Sequence, residues 1–170
     1  MPGEKVMTEG DVLEVVKALA AAGVDAWVEG GWAVDAALGE STRPHRDLDV
    51  AVPSANFDAA IATLGRLGYA TTLDLRPVRL VMEASGGRSV DLHPVTFDAS
   101  GFGRQVGEQG RVYDYPADGF GRGTIGGVSV PCLTAEQLVR FHLGYEPQDH
   151  DRRDMVLLRD RLGIEVPPPY

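Results

Sequence analysis

Two aspartates set two residues apart, Asp47 and Asp49, are the residues of this chain best suited to chemistry. In an extended strand alternate side chains share one face, so both carboxylates are expected to point the same way. Leu48, Val50 and Val52 would point to the other face, as in a strand with a buried side. Two neighbouring carboxylates repel each other unless a cation lies between them, and Mg²⁺ takes oxygen ligands while keeping places for substrate phosphates. The pair therefore predicts a magnesium site.

A glycine pair upstream of the aspartates predicts a phosphate site. Residues 30–35 read Gly-Gly-Trp-Ala-Val-Asp and are expected to follow a short strand and open a short helix. Glycine lets backbone approach a bulky anion, and the free N–H groups of a helix N-terminus favour phosphate. Both lysines lie within the first 17 residues, so later phosphate contacts must come from arginine, histidine or backbone. We therefore predict that Gly30, Gly31, Arg43 and His45 bind nucleotide.

A third carboxylate, Asp91, is predicted on a later strand at 88–95, where His93 shares its face. Phosphoryl and nucleotidyl transfer need in-line positioning and a divalent metal that neutralises charge on the phosphorus oxygens. Asp91 could ligate a metal together with Asp47 and Asp49, or deprotonate the attacking hydroxyl. An Asp-x-Asp pair alone is weak evidence, because solvent-facing acids that alternate with buried aliphatic residues give the same pattern.

The amino-acid composition limits which partners and which kinds of site the chain can have. The chain has 170 residues, a net charge of −9, and two lysines against fourteen arginines. The acidic balance argues against nucleic acid as a partner and suits a cationic small substrate. Cys132 is the single cysteine, which excludes an internal disulfide and a cysteine-rich metal site. The sequence has no signal peptide and no apolar run long enough for a bilayer, so we expect no membrane association and a cytoplasmic protein.

The elements that must position these residues follow an α+β plan with a mixed β-sheet flanked by helices and a short C-terminal helical segment. A Rossmann chain is disfavoured, because regular βαβ alternation stops after residue 68. We predict one domain over 1–170, with a core at about 8–131 and a helical part at about 134–163. Helices are predicted at 8–23, 31–38, from 54 through Leu64, 134–145 and 149–162, and strands at 25–29, 46–52, 69–74, 78–84 and 88–95. Loop with short strand pieces is predicted at 98–123, and a small hairpin with its turn at 126–127.

The glycine pair with its tryptophan, followed by Arg-x-His-x-Asp-x-Asp at 43–49, resembles a known family. The chain is similar to the DNA polymerase β-like nucleotidyltransferases that inactivate antibiotics. It is most similar to the small lincosamide nucleotidyltransferases, and next to the aminoglycoside 2″-nucleotidyltransferases. Residues 76–80, 90–95, 130–133 and 141–145 carry the resemblance further, so it spans about residues 8 to 163.

The resemblance implies a polymerase β-like fold and transfer of a nucleoside monophosphate from a nucleoside triphosphate to a drug hydroxyl. Mg²⁺ would be held by Asp47 and Asp49, with Asp91 completing the site or acting as base. Gly30 and Gly31 would cradle the triphosphate. It also implies a homodimer.

The acceptor is expected to be a small cationic antibiotic, a lincosamide ahead of an aminoglycoside. Arg79, His93 and Tyr145 are the candidates for substrate contacts. The region 98–123 matches no family pattern, and we expect it to shape the acceptor pocket. The sequence chooses neither the nucleotide base nor the modified hydroxyl.

Other functions fit the residues less well. A phosphatase of the haloacid dehalogenase type needs a lysine after its Asp-x-Asp, and none follows Asp47. Glycosyltransferases with Asp-x-Asp are usually longer ahead of the motif, and polymerases need nucleic-acid-binding domains. A non-catalytic nucleotide- or drug-binding protein on the same fold is the alternative from another class. Nucleotide binding to such a protein need not depend on Mg²⁺.

Overall fold

The centre of the fold is a mixed β-sheet, seen in a computed structural model that describes residues 5–170. Its strands lie in the order β3-β4-β5-β2-β1-β9-β8, and β6 and β7 continue from the end of β5. The strands are β1 Trp27–Glu29, β2 Leu48–Pro53, β3 Ala70–Leu75, β4 Arg79–Ala84, β5 Arg88–Phe97, β6 Gly103–Val106, β7 Val112–Tyr115, β8 Phe120–Ile125 and β9 Val128–Leu133. The helices are α1 Glu9–Ala21, α2 Gly30–Leu38, α3 Phe57–Arg66, α4 Ala135–Phe141 and α5 Asp149–Leu162.

The central strands explain why the site can be rigid. β2 runs parallel to β5 and antiparallel to β1, so the three strands form one continuous ladder. Leu48, Val50 and Val52 are buried on β2, and Val90 and Leu92 are buried on β5. The predicted alternation on β2 is confirmed, since these aliphatic residues anchor one face and Asp49 projects from the other. A mixed sheet with helices around it confirms the predicted α+β class.

The helices pack in two groups. α1 contacts α3, while α2 contacts β8, α4 and α5. α1 begins with the predicted capping box, in which Thr8 and Asp11 each accept a backbone N–H from the other. α2 begins at Gly30 and ends at Gly39, which adopts the left-handed conformation. The contacts of α2 with α4 and α5 bring the C-terminal helices next to the glycine pair.

Of two predicted regions in the second half, one is confirmed and one differs from the structure. Residues 98–123, predicted as loop with short strand pieces, contain the short strands β6 and β7 and the first part of β8, with loops between them. The helix predicted to reach Tyr145 ends at Phe141, ahead of Gly144, whose φ of +91° is incompatible with a continuing helix. Residues 1–4 of the predicted domain lie outside the described part. Within residues 5–170, no helix is both long and apolar enough to cross a membrane.

Candidate active site

Three carboxylates lie in a row across the middle of the sheet. Glu29 on β1 is the register partner of Asp49 on β2, and Asp49 is the register partner of Asp91 on β5. Register partners on neighbouring strands project from the same face, with strands about 4.8 Å apart. Like charges placed directly opposite each other destabilise a sheet. This carboxylate row is therefore an arrangement that calls for a cation.

His93, two residues after Asp91 on β5, joins the row. Its Nε2 lies 3.3 Å from Oδ1 of Asp49, 3.6 Å from Oδ1 of Asp91 and 3.7 Å from Oε1 of Glu29. Potential ligand atoms of Asp49, Asp91 and His93 all lie within 4.8 Å of one another. The structure thus brings together two of the three predicted carboxylates and the predicted histidine.

Asp47 stands at the edge of this group. It lies one residue before β2, is exposed, and lines the same cleft as Asp49. Partial burial of its carboxyl group, together with the negative charges of Asp49 and Asp91, raises the pKa of Asp47 to about 6. The carboxyl group of Asp47 therefore feels the field of the row, although it is not one of the three tightly grouped ligand residues.

The residues present fit a divalent cation. Asp91 is buried, and its Oδ1 has no hydrogen-bond partner in the described part of the chain. Its other oxygen, Oδ2, accepts a hydrogen bond of 2.7 Å from Nη1 of Arg79. An unpartnered buried carboxylate oxygen is costly unless a ligand satisfies it. Carboxylate oxygens from Asp49 and Asp91 are the donor set that Mg²⁺ prefers.

The pKa values of the groups in the row are shifted by burial and by the negative charges crowded there. Burial raises the pKa of Glu29 to about 7, and the charges of Asp49 and Asp91 act in the same direction. Burial also raises the pKa of Asp91. Burial lowers the pKa of His93, but the surrounding carboxylates raise it and prevail. Perturbed groups clustered in a cleft are typical of a functional site.

The glycine pair fits so closely against Asp49 and the loop before β2 that a side chain at either position would force its neighbours to shift. Gly30 has a φ of +65°, and a Cβ on it would overlap the carboxylate of Asp49. A Cβ on Gly31 would lie 2.5 Å from Nδ1 of His45 and 2.8 Å from Nη2 of Arg43. The N-terminus of α2 is therefore pressed against the aspartates and the loop before β2. The predicted proximity of glycine pair and aspartates is confirmed.

The loop between α2 and β2 is held by a buried hydrogen-bonded pair. Nε2 of His45 lies 2.6 Å from Oδ2 of Asp35, and both side chains are almost completely buried. Oδ1 of Asp35 accepts hydrogen bonds from the backbone and hydroxyl of Thr42. The His45 ring also packs on Trp32, with ring centroids 4.8 Å apart. His45 thus braces the loop and also lines the cleft.

Arg43 is tied to the C-terminal helix. Its Nε and Nη2 donate to the two carboxylate oxygens of Asp154 on α5, at 3.1 and 2.8 Å. This bidentate pair is largely buried on the Asp154 side. Fork-to-fork pairing fixes geometry as well as charge. Arg43 therefore joins α5 to the loop that leads to Asp47, and nucleotide binding by Arg43 stays a prediction.

Two cavities meet at Asp49, the middle residue of the carboxylate row. The larger, about 650 Å³, lies between α2 and α5, and the smaller, about 240 Å³, lies between β1, β7 and α4. Both reach Gly30, Asp49 and His142. The larger cleft is lined by Val6, Gly30, Gly31, Arg43, Pro44, His45, Arg46, Asp47, Asp49, His142, Gln148, His150, Asp151, Arg153 and Asp154. The smaller cavity is lined by Glu29, Gly30, Asp49, His93, Gln105, Tyr113, Tyr115, Leu138, Phe141 and His142.

The predicted site residues distribute between these cavities. Gly30, Gly31, Arg43 and His45, predicted to bind nucleotide, all line the larger cleft. Of the three predicted substrate contacts, His93 lines the smaller cavity and Arg79 lies behind it, in a recess next to the β6–β7 turn. Tyr145 lines neither cavity. It packs near His142, with ring centroids 6.3 Å apart, and its role in substrate binding stays a prediction.

Substituting Gly30 with alanine is expected to damage this site. The left-handed backbone would cost about 1–2 kcal/mol of stability, and displacing Asp49 should lower kcat by about 100-fold because a 1 Å misplacement has that effect. Steady-state kinetics and urea denaturation measure both. Gly65→Ala on α3 is the control: nothing lies within 4 Å of its Cβ position, and replacing a helix-interior glycine should stabilise by about 1 kcal/mol. Normal kcat in Gly30→Ala would show that the close packing is not needed.

A mixed sheet that carries paired carboxylates opposite a glycine-opened helix defines the class of nucleotidyltransferases. Within that class, the sequence profile of the aminoglycoside-2''-adenylyltransferase family matches residues 11–158, and the chain belongs to this family. It is an enzyme of the nucleotidyltransferase type, related to those that confer antibiotic resistance.

Relatives of known sequence agree. The chain is 26% identical over 153 residues to a lincosamide resistance protein of Staphylococcus haemolyticus, covering 90% of this chain and 95% of that one. It is 41% identical over 49 residues to a 2''-aminoglycoside nucleotidyltransferase of Klebsiella pneumoniae, covering 29% of this chain and 28% of the other. The predicted resemblance to the lincosamide nucleotidyltransferases, and next to the aminoglycoside 2''-nucleotidyltransferases, is confirmed.

Solved structures show the same fold. The crystal structure of the lincosamide antibiotic adenylyltransferase LnuA with lincomycin bound superposes with a TM-score of 0.81 at 26% identity, covering 91% of this chain and 98% of that one. The crystal structure of ANT(2'')-Ia in complex with adenylyl-2''-tobramycin gives a TM-score of 0.73 at 21% identity, covering 91% and 89%. The predicted fold class is confirmed.

Glu29, which the sequence offers as a residue that could contact substrate or metal, becomes part of the row through the antiparallel pairing of β1 with β2. Three further residues at the site were not predicted. Gln105, Tyr113 and Tyr115 come from the region that matched no family pattern. A buried acid at the end of a strand directly before a glycine pair was the available signal for Glu29. For Gln105 the sequence offers no comparable signal.

Proposed function

We propose that the enzyme uses Mg²⁺ to transfer a nucleoside monophosphate from a nucleoside triphosphate to a hydroxyl of a lincosamide, releasing pyrophosphate. The observation that carries this proposal is the place of the carboxylate row. Asp49 lines both the larger cleft and the smaller cavity, Glu29 lines the smaller cavity, and Asp91 is the register partner of Asp49 on the next strand. A donor and an acceptor held in the two cavities would therefore meet over the carboxylates.

The larger cleft suits the nucleotide. Its volume of about 650 Å³ falls in the usual range for small-molecule sites. The backbone N–H groups at the start of α2 and the positive end of its dipole favour a phosphate chain beside Gly30 and Gly31. Arg43 and His45 lie directly against Gly31 and add positive or hydrogen-bonding groups on the same side.

The three aspartates would hold the metal. Asp49 and Asp91 offer oxygens within one tight group, and Asp47 lines the cleft beside Asp49. When bound, a divalent ion neutralises charge on the phosphoryl oxygens and assists ionisation of the attacking hydroxyl. Arg79 holds one oxygen of Asp91 and leaves Oδ1 directed at the row. The chain thus orients donor and acceptor, which is most of what such a transfer needs.

The smaller cavity suits a lincosamide. Its wall includes the rings of Tyr113, Tyr115 and Phe141, so it favours an apolar body over a fully hydrated polycation. Glu29 on the same wall and the net charge of −9 suit the one basic amine of a lincosamide. The likeness to LnuA, over nearly the whole of both chains, supports the same acceptor class.

An aminoglycoside is the second candidate acceptor. The family to which the chain belongs is named for aminoglycoside substrates. The acidic surface also suits a polycation. The aromatic lining of the smaller cavity favours the lincosamide. The two acceptors share donor, metal and chemistry, so one assay separates them.

Pyrophosphate release tests the proposal, measured with the four nucleoside triphosphates against panels of lincosamides and aminoglycosides. We expect Mg²⁺-dependent turnover with lincosamides, and a modified drug heavier by one nucleoside monophosphate in the mass spectrum. Turnover with aminoglycosides alone would show that the acceptor is an aminoglycoside and not a lincosamide. Absence of turnover with every pair, together with nucleotide binding that does not depend on Mg²⁺, would favour a non-catalytic binding protein. The implied homodimer stays a prediction that sedimentation velocity measures.

A further inference from the structure

One side chain in the wall of the smaller cavity, Gln105 on β6, contacts three polar groups at once. Its Nε2 lies 3.2 Å from the carbonyl oxygen of Val78 and 2.9 Å from Nδ1 of His93. Its Oε1 accepts a hydrogen bond of 2.8 Å from the hydroxyl of Tyr115. The Gln105 residue is only 6% exposed, so these partners are not exchanged with water.

The backbone carbonyl of Val78 decides the orientation of this amide. A carbonyl oxygen only accepts hydrogen bonds, so the NH₂ group of Gln105 must face it. The same NH₂ group then donates to His93, and Nδ1 of His93 is the acceptor. The hydroxyl of Tyr115 lies 2.8 Å from Oε1 of Gln105 and 2.9 Å from Oε2 of Glu29, so its single proton is shared between these two acceptors.

The contact with the Gln105 amide also fixes the orientation of the His93 ring beside the carboxylate row. With Nδ1 held by Gln105, the other ring nitrogen of His93 points at Oδ1 of Asp49, 3.3 Å away. A ring turned about its long axis would lose both contacts.

We propose that Gln105 is a positioning residue for nucleotidyl transfer, which acts through His93 to hold the carboxylate of Asp49 in place. This inference rests on the proposed function, in which Asp49 holds the metal. Hydrogen-bond partners of a ligand fix its orientation, and their loss typically costs 10- to 100-fold in metal affinity or activity. Gln105 lies outside the larger cleft, so its effect should not fall on nucleotide affinity.

The test is a double-mutant cycle with Gln105→Met, which keeps the length of the side chain, and His93→Asn. Gln105→Met should lower kcat by about 10-fold and leave KM for the nucleoside triphosphate unchanged. In the His93→Asn background, Gln105→Met should have no further effect, because residues that act through one another are not additive. Val106→Thr, on the exposed neighbour in β6, is the matched control and should keep full activity.

Two results would overturn the proposal. One is a double variant whose loss equals the product of the single losses, which indicates an independent structural role. The other is a loss of kcat in Gln105→Met that follows its melting temperature and is restored by cooling. Failure of the proposed function is distinct, since wild-type protein would then turn over no acceptor.

A spectroscopic arm does not depend on turnover. The imidazole ¹⁵N resonances of His93 are assigned in the Mg²⁺-loaded protein by comparison with His93→Asn. We expect the Nδ1 resonance to shift in Gln105→Met, because the substitution removes the polar group that lies 2.9 Å from this nitrogen. An unchanged Nδ1 resonance in the variant would contradict the contact on which the proposal depends.

Discussion

Asp49→Asn is expected to lower kcat by about 10³-fold, because loss of a metal ligand removes several kcal/mol of transition-state stabilisation. Asp49 is the centre of the carboxylate row: it pairs in register with both Glu29 and Asp91 and borders both cavities. Asparagine keeps the shape of the side chain and removes only its charge. Pyrophosphate release under saturating nucleotide and acceptor measures the loss.

A binding readout separates loss of metal from loss of chemistry. Nucleotide should raise the melting temperature of the wild-type protein only with Mg²⁺, and Asp49→Asn should abolish that shift. Asp91→Asn decides between the two roles predicted for Asp91. A metal ligand would lose the shift as well, whereas a base would keep the shift and lose only kcat. Asp58→Asn, fully exposed on α3, should leave both readouts unchanged. An Asp49→Asn variant with normal kcat would refute the assigned site.

The catalytic strands could be predicted because their signal is local. Alternation of aspartate with buried aliphatic residues sets the face of β2, and the same alternation sets Asp91 on β5. The glycine pair at the start of α2 was also readable, since a left-handed φ and a close approach both require glycine. These features need only a few neighbouring residues to be interpreted.

The contacts that the sequence did not predict depend on pairing between distant segments of the chain. β6 pairs with the end of β5, so Gln105 reaches His93 only once these two strands are paired. The glycine-rich composition of residues 98–123 carries no clear periodicity, so it predicts loop with short strand pieces and not how those strands pair. Likewise the bidentate contact between Arg43 and Asp154 joins residues 111 positions apart. Sequence patterns therefore located the metal ligands better than the side chains that hold them.

The carboxylate row should also lower the free energy of unfolding of the metal-free protein. The substitution Glu29→Gln tests this expectation. The pKa of Glu29 is raised from its usual value near 4.5 to about 7, chiefly by burial. The folded state therefore binds this proton more tightly than the unfolded state does. The free energy of unfolding contributed by the group falls as pH rises from about 4.5 to about 7. Above that range the ionised carboxylate costs about 3 kcal/mol, at 1.36 kcal/mol for each unit of pKa.

Glutamine at position 29 cannot ionise and can still bond to the hydroxyl of Tyr115, which lies 2.9 Å from Oε2 of Glu29. In EDTA, urea denaturation should show Glu29→Gln more stable than wild type by about 2–3 kcal/mol at pH 8 and nearly equal to it at pH 5. Glu83→Gln, on an exposed position of β4, should change stability by under about 0.5 kcal/mol at either pH. A Glu29→Gln variant less stable than wild type at pH 8 would mean that the ionised carboxylate is compensated without a cation. A gain in the free energy of unfolding that is seen only at high pH would mean that the carboxylate row destabilises the folded protein when no metal is bound.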